Sequence, residues 1–177
     1  LYKLNLTNSE MELISRDGRV SPSNVWINRS NKNLYAVEYE PGYPTYEFVD
    51  KSSPMTKRLK GLLKALPDHQ VRIISNTKDN SAHIIWAGND KNPGDYYIFD
   101  GKIKKLNYLM SAKNWIDPAK MASVTPVSFQ SRDGITIHGY LTLPPNKEKV
   151  NLPLVVMPHG GPHGPRDWWS FDETAQM

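Results

Sequence analysis

The sequence of 177 residues contains no cysteine. This absence excludes a disulfide framework, a thiolate nucleophile and a zinc site built from thiolates. No apolar run approaches the roughly 18 residues that a membrane-spanning helix requires, so the sequence predicts no membrane partner. Both the cytoplasm and the periplasm stay open as compartments, because cysteine-free proteins occur in each and the sequence begins at Leu1 rather than Met.

Neither sign of charge is in large excess. The 22 basic and 18 acidic residues leave a net charge of +4, which does not predict a nucleic-acid partner. One local excess lies in a helical pattern and comprises Lys57, Arg58, Lys60 and Lys64. That face could bind an acidic partner, but lysine is the ordinary residue of exposed helix positions, so we interpret it as a solvated face.

Short strands separated by turns dominate the first fifty residues. The predicted strands cover residues 1–6, 11–15, 24–28, 33–40 and 45–49. Asp17-Gly18 lies between two of them and predicts a hairpin, because a tight turn needs residues that tolerate positive φ. Four tyrosines also fall here, namely Tyr35, Tyr39, Tyr43 and Tyr46. They could line a substrate-facing surface, but aromatic residues in strands more often pack within the sheet.

The clearest helix of the sequence begins at Ser53. Ser53 is a favourable N-cap, Pro54 suits the first helical position, and Pro67 marks the end. The apolar residues of this helix share one face and comprise Met55, Leu59, Leu62, Leu63 and Leu66. Strands resume after it at residues 71–77, 82–88, 95–99 and 102–109, with a turn at Asp100-Gly101. Four short strands in succession predict one antiparallel sheet of the size of a propeller blade.

The chain changes character between residues 115 and 124, where we expect a domain boundary. A hairpin follows, with strands at residues 124–131 and 135–143 and a turn at Asp133-Gly134. Residues 154–157 then form a short β-branched run between two prolines. Such a run predicts a strand that is buried on both faces.

A glycine-rich loop follows that run, at His159-Gly160-Gly161-Pro162, and a helix is expected to start near residues 166–169. A strand, a glycine loop and a helix in this order are typical of the way α/β-hydrolase folds supply part of an oxyanion hole. A plain strand-to-helix turn is the alternative interpretation of the same residues.

Two runs carry a resemblance to a known family: PVSFQSRDGITIHGYL at residues 126–141 and LVVMPHGGPHG at residues 154–164. They resemble the prolyl oligopeptidase family of serine peptidases, in its acylaminoacyl-peptidase and dipeptidyl-aminopeptidase-like branch. The resemblance implies a mixed fold, mainly antiparallel β, with the last blades of a β-propeller at residues 1–120. It implies that residues 121–177 are the truncated start of an α/β-hydrolase domain.

The resemblance also implies the roles of the loop residues. The backbone N–H of Gly161 would be one donor of the oxyanion hole, with Gly160 and His159 positioning the loop. Some branches carry a tyrosine in place of His159. None of the eleven glycines frames a Gly-x-Ser-x-Gly elbow, and the one matching spacing, Gly160 to Gly164, has Pro162 at its centre. The nucleophile and triad are therefore expected outside these residues, and this piece alone is expected to be inactive.

A serine peptidase acting on peptides is the predicted function, and the sequence offers few competing signals. His159 and His163 have the spacing of two zinc ligands on a helix, but the intervening glycines and proline argue against a helix, so no metal and no cofactor are predicted. The isolated His69, His83 and His138 are expected to be ordinary surface or strand residues. A propeller that serves as a binding module with a non-catalytic tail remains the alternative, and an esterase is a third. The expected partners are the peptide substrate and the rest of the catalytic domain, with homo-oligomerisation left open.

Overall fold

The computed structural model describes all 177 residues. The chain forms two compact units, Leu1–Pro67 and Asp68–Met177. Both consist mostly of antiparallel strands, as predicted, and the few helices are short. This arrangement is compatible with propeller blades. The predicted domain boundary at about residue 120 stays a prediction.

The first unit contains five strands and one helix. They are β1 (Tyr2–Leu4), β2 (Met11–Leu13), β3 (Asn24–Ile27), β4 (Leu34–Tyr39), β5 (Thr45–Phe48) and α1 (Pro54–Ala65). β1 pairs with β2, and β4 lies between β3 and β5. The central strand β4 and helix α1 form much of the core. Tyr35 and Tyr39 of β4 are buried, and so are Leu59 and Leu62 of α1. The packing interpretation of these two tyrosines is thus confirmed, whereas Tyr43 is exposed.

Helix α1 begins where the sequence predicts it. Ser53 is its N-cap, and the Ser53 hydroxyl accepts the Met55 N–H at 3.2 Å. Leu59 and Leu62 face the core while Lys57 is exposed. An amphipathic helix with a favourable cap is specified largely by its own residues, which explains the agreement.

The hairpin predicted at Asp17-Gly18 is wrong. Each of the strands around it pairs elsewhere, β2 with β1 and β3 with β4. The Asp17 carboxylate instead accepts the N–H groups of Arg19 and Val20, at 2.7 and 3.0 Å. These bonds form a local turn that does not reverse the chain into a ladder, because an Asp side chain can replace backbone partners in such turns.

The second unit is built around one four-stranded antiparallel sheet, as predicted. Its strands, in spatial order, are β6 (Gln70–Asn76), β7 (Ala82–Gly88), β8 (Asp95–Asp100) and β9 (Lys105–Ser111). A separate hairpin of β10 (Val124–Gln130) and β11 (Thr136–Thr142) follows, and α2 (Glu173–Gln176) comes last. The hairpin turns at Gly134 with φ of +82°. None of the helices in the two units combines the length and the apolar character of a membrane span.

The Trp86 indole of β7 lies against the backbone of two glycines. A Cβ added to Gly94 would fall 1.9 Å from Trp86 Nε1, and one added to Gly88 would fall 2.5 Å from the same ring. Gly94 also has φ of +130°, a conformation that other residues rarely adopt. Close packing of the ring and the required backbone conformation therefore both specify glycine at position 94.

We predict that Gly94→Ala destabilises the protein by at least about 2 kcal/mol, because backbone strain and overpacking each cost about 1–3 kcal/mol. Chemical denaturation monitored by circular dichroism measures the change. The matched control is Gly134→Ala. Gly134 also has a positive φ, but a Cβ there would meet no atom within 4 Å, so this variant should lose only the free energy of backbone strain. Equal losses in the two variants would show that contact with Trp86 does not specify Gly94.

Candidate functional site

The candidate loop lies in a long segment without regular structure. Residues 143–172 form neither helix nor strand, and the loop occupies residues 159–164 within it. The segment starts after β11 and ends at Asp172, which caps α2. Functional loops of this kind depend on a rigid scaffold for their position.

The buried strand predicted at residues 154–157 is wrong. Leu154, Val155 and Val156 are 81%, 77% and 75% exposed, and the segment joins no sheet. A strand needs neighbours for its backbone N–H and C=O groups. Here β10 and β11 pair with each other, and the four-stranded sheet is formed without this segment. Residues 1–177 therefore contain no parallel sheet of the α/β-hydrolase kind.

The loop itself is open to solvent. His159, Gly160 and Gly161 are all exposed, and a Cβ added to either glycine would meet no atom within 4 Å. His159 Nδ1 lies 2.6 Å from the Gly160 carbonyl oxygen, and it donates to that oxygen in the tautomer that has its hydrogen on Nδ1. The peptide bond between Gly161 and Pro162 is cis. The structure thus brings His159 and Gly160 into contact and leaves Gly161 exposed, while the oxyanion role of its amide stays a prediction.

His159 and His163 lie in this coil rather than on a helix, so their spacing does not place both imidazoles on one face. No group of three or more His, Cys, Asp or Glu side chains could hold a metal ion. His83 is a buried residue of β7, with Nε2 3.2 Å from the Asn80 carbonyl oxygen and its ring 6.1 Å from that of Phe99. Its position is that of an ordinary strand residue.

The helix predicted near residues 166–169 is also wrong, since α2 begins only at Glu173. Trp169 lies outside any helix and is held by tertiary contacts instead. It is buried, its indole N–H donates to the Val124 carbonyl at 3.2 Å, and its own carbonyl accepts from the Gln70 side chain at 3.2 Å. The helix starts where the Asp172 carboxylate can cap it, by accepting the N–H groups of the second and third helical residues.

Gln176 and Asp90 complete a set of contacts that holds the end of the chain against the sheet unit. The Gln176 side chain donates to the carbonyls of Asp90 and Ala122, both at 2.9 Å, and accepts the Ala122 N–H at 2.8 Å. The Asp90 carboxylate accepts the Val124 N–H at 2.7 Å. Glu173, on the same short helix as Gln176, also forms an ion pair with Lys113, which follows β9. We call the side chains Gln70, Asp90, Trp169 and Gln176, together with the backbone of residues 122–124, the clasp.

No sequence pattern predicts the clasp. Its hydrogen bonds join residues 34 to 99 positions apart, and Asp, Gln and Trp occur in many unrelated contexts. The one available signal was Trp169, because a buried tryptophan usually finds a partner for its N–H.

Other polar clusters of the structure have local structural roles. Ser15 is buried and is hydrogen-bonded to the Tyr39 hydroxyl and the Glu47 carboxylate, each at 2.6 Å. Neither partner is an imidazole that could act as a base on the serine. Asp79 accepts bonds from Thr77 and Ser81 in the turn between β6 and β7, and these bonds hold the pKa of its carboxyl well below the usual range. Neither cluster resembles the nucleophile and base of a hydrolase.

The chain is similar to two dipeptidyl peptidases. It is 25% identical over 169 residues to dipeptidyl aminopeptidase BIII of Pseudoxanthomonas mexicana. It is also 25% identical over 183 residues to dipeptidyl peptidase family member 6 of Caenorhabditis elegans. Each similarity covers 92% of this chain and only 24% of the relative. No family model matches, and no solved structure matches.

These findings support the dipeptidyl peptidase part of the predicted resemblance, at low identity. The chain spans about a quarter (24%) of the length of the curated relatives that it matches. Both relatives carry the name of a dipeptidyl peptidase or aminopeptidase, while a peptidase function and a peptide substrate stay predictions for this chain. The serine mechanism, the acylaminoacyl-peptidase branch and the roles of His159, Gly160 and Gly161 stay predictions.

We predict that residues 1–177 expressed alone hydrolyse no peptide, because no Gly-x-Ser-x-Gly elbow occurs among them and acyl transfer needs an activated nucleophile. A serine-directed fluorophosphonate probe should leave the purified piece unlabelled. The same probe applied to the full-length protein is the positive control. Stoichiometric labelling of the 177-residue piece would contradict the prediction.

Proposed function

We propose that this chain is part of a serine peptidase of the dipeptidyl peptidase type, which hydrolyses short peptides through an acyl-enzyme. The observation that carries the proposal is the similarity of 92% of the chain to two proteins named dipeptidyl peptidases. The exposed glycine loop supports it, because the segment that carries the loop is held through the bond of Trp169 to Val124. The nucleophile and its Asp and His partners come from the rest of the catalytic domain.

In this proposal the antiparallel sheets of residues 1–120 are the last blades of a propeller. Residues 121–177 begin the hydrolase domain and contribute the loop to its active site. Four strands joined by short turns, as in β6 to β9, are the size of one blade. The substrate is a peptide, no cofactor is required, and homo-oligomerisation stays open.

The Gly161 amide would stabilise the oxyanion that forms when the serine attacks the peptide carbonyl. Charge moves onto the carbonyl oxygen only during the reaction, so a fixed donor at that position lowers the transition state more than the ground state. Gly161 suits this role because it is exposed and has no Cβ between its amide and the substrate. The contact of His159 with the Gly160 carbonyl helps to orient the neighbouring backbone.

We expect Gly161→Pro in the full-length enzyme to lower kcat roughly a hundred- to a thousandfold, or about 2.7–4 kcal/mol, because the variant lacks the donating N–H. Gly161→Ala is the matched control. It keeps the N–H, and its Cβ meets no atom of this chain within 4 Å, so any loss of turnover in Gly161→Ala measures the effect of a Cβ near the substrate. The oxyanion role predicts a much larger loss in Gly161→Pro. Turnover is measured on chromogenic dipeptide substrates and expressed per serine titrated with a fluorophosphonate, after thermal melts show that both variants fold.

Near-normal turnover in a folded Gly161→Pro variant would contradict the oxyanion role. A full-length wild-type protein that neither reacts with the fluorophosphonate nor cleaves dipeptide substrates would contradict the peptidase itself. That second result would favour the alternative of a propeller that serves as a binding module.

A further inference from the structure

The segment that carries the candidate loop is held at both ends by the clasp. Val124 begins the β10–β11 hairpin that precedes the segment, and its two backbone polar groups are both bonded. Its N–H donates to the Asp90 carboxylate at 2.7 Å, and its carbonyl accepts from the Trp169 indole at 3.2 Å. β10 pairs with β11 in a register that places Val124 opposite Thr142, the last residue before the segment. Trp169 lies beyond the loop, near the other end of the segment, so Val124 connects the two flanks.

Gln176 makes the second connection. Its amide oxygen accepts the Ala122 N–H at 2.8 Å, and its amide nitrogen donates to the carbonyls of Ala122 and Asp90, both at 2.9 Å. Three bonds to backbone groups on two separate segments fix both the position and the orientation of this side chain. A carboxylate of the same shape would keep the first bond and place negative oxygen against two carbonyls.

Asp90 belongs to the loop between β7 and β8 of the four-stranded sheet. It is only 6% exposed, and it contributes to the clasp through both its carboxylate and its backbone carbonyl. A buried carboxylate is costly unless its oxygens accept hydrogen bonds. The contact with Val124 N–H is therefore a specific connection between the sheet and the hairpin.

We propose that Asp90 and Gln176 are positioning residues for the Gly161 amide. The inference rests on the proposed function. Residues 143–172 have no helix or strand of their own, so the direction of the loop depends on where its flanks are held. An oxyanion donor must be placed closely, since a displacement of about 1 Å can cost on the order of a hundredfold in rate. The clasp connects that placement to the four-stranded sheet, which would be the last propeller blade.

The test uses the full-length enzyme and two disruptive variants, Asp90→Ala and Gln176→Glu. We expect kcat per titrated serine to fall between about tenfold and a hundredfold. KM for a dipeptide substrate should stay within about twofold, because an interaction made only in the transition state affects kcat and not ground-state binding. Loss of stability alone would reduce the amount of titratable enzyme and leave kcat per serine unchanged.

Two further variants make the test specific. Asp90→Asn keeps an oxygen that can accept the Val124 N–H, so it should restore kcat to within about twofold of the wild type. Thr174→Ala is the control on α2, where Thr174 is exposed, and should behave as wild type. Amide hydrogen exchange at Val124 should accelerate in Asp90→Ala and not in Asp90→Asn, which reports the clasp contact independently of activity.

Wild-type kcat per serine in both Asp90→Ala and Gln176→Glu would overturn the inference, as would equal losses in Asp90→Ala and Asp90→Asn. These results leave the wild-type enzyme active. Failure of the wild type to react with the fluorophosphonate would overturn the proposed function instead, so the two failures are distinguishable.

Discussion

The bonding of the backbone at residues 122–124 is the interaction on which the second unit depends. Buried N–H and C=O groups that are not bonded within a strand pair need other partners, because leaving them unpaired costs as much as a lost hydrogen bond. Asp90, Trp169 and Gln176 provide those partners. Without them the hairpin and the end of the chain would have few specific connections to the four-stranded sheet.

The first unit meets a similar requirement within its own sheet. The Trp26 indole donates to the buried Glu38 carboxylate at 3.1 Å, across neighbouring strands β3 and β4. In both units a buried carboxylate accepts an N–H group from another element. Such contacts favour one arrangement of the strands, because a different register would leave the carboxylate desolvated without its partner.

The similarity to dipeptidyl peptidases suggests why a loop of this chain should be held in place. The relatives are about four times longer than the matched region, since the chain covers 24% of each. A catalytic centre assembled from distant parts of a chain needs each contributing loop to be held by a scaffold. In the proposed function, the loop of Gly160 and Gly161 would be such a loop, and the clasp would hold it within the second unit.

The sequence by itself determined the elements that are specified locally. Helix α1 follows from Ser53, Pro54 and its apolar face, and strand β7 occupies the predicted residues 82–88. Tertiary structure decided the rest. The run at residues 154–157 has the composition of a buried strand but no neighbour to pair with, and Asp17-Gly18 forms a side-chain-bonded turn instead of a hairpin. The clasp joins residues far apart in sequence, and hydrogen-bond partners at such separations are chosen by packing that no local pattern encodes.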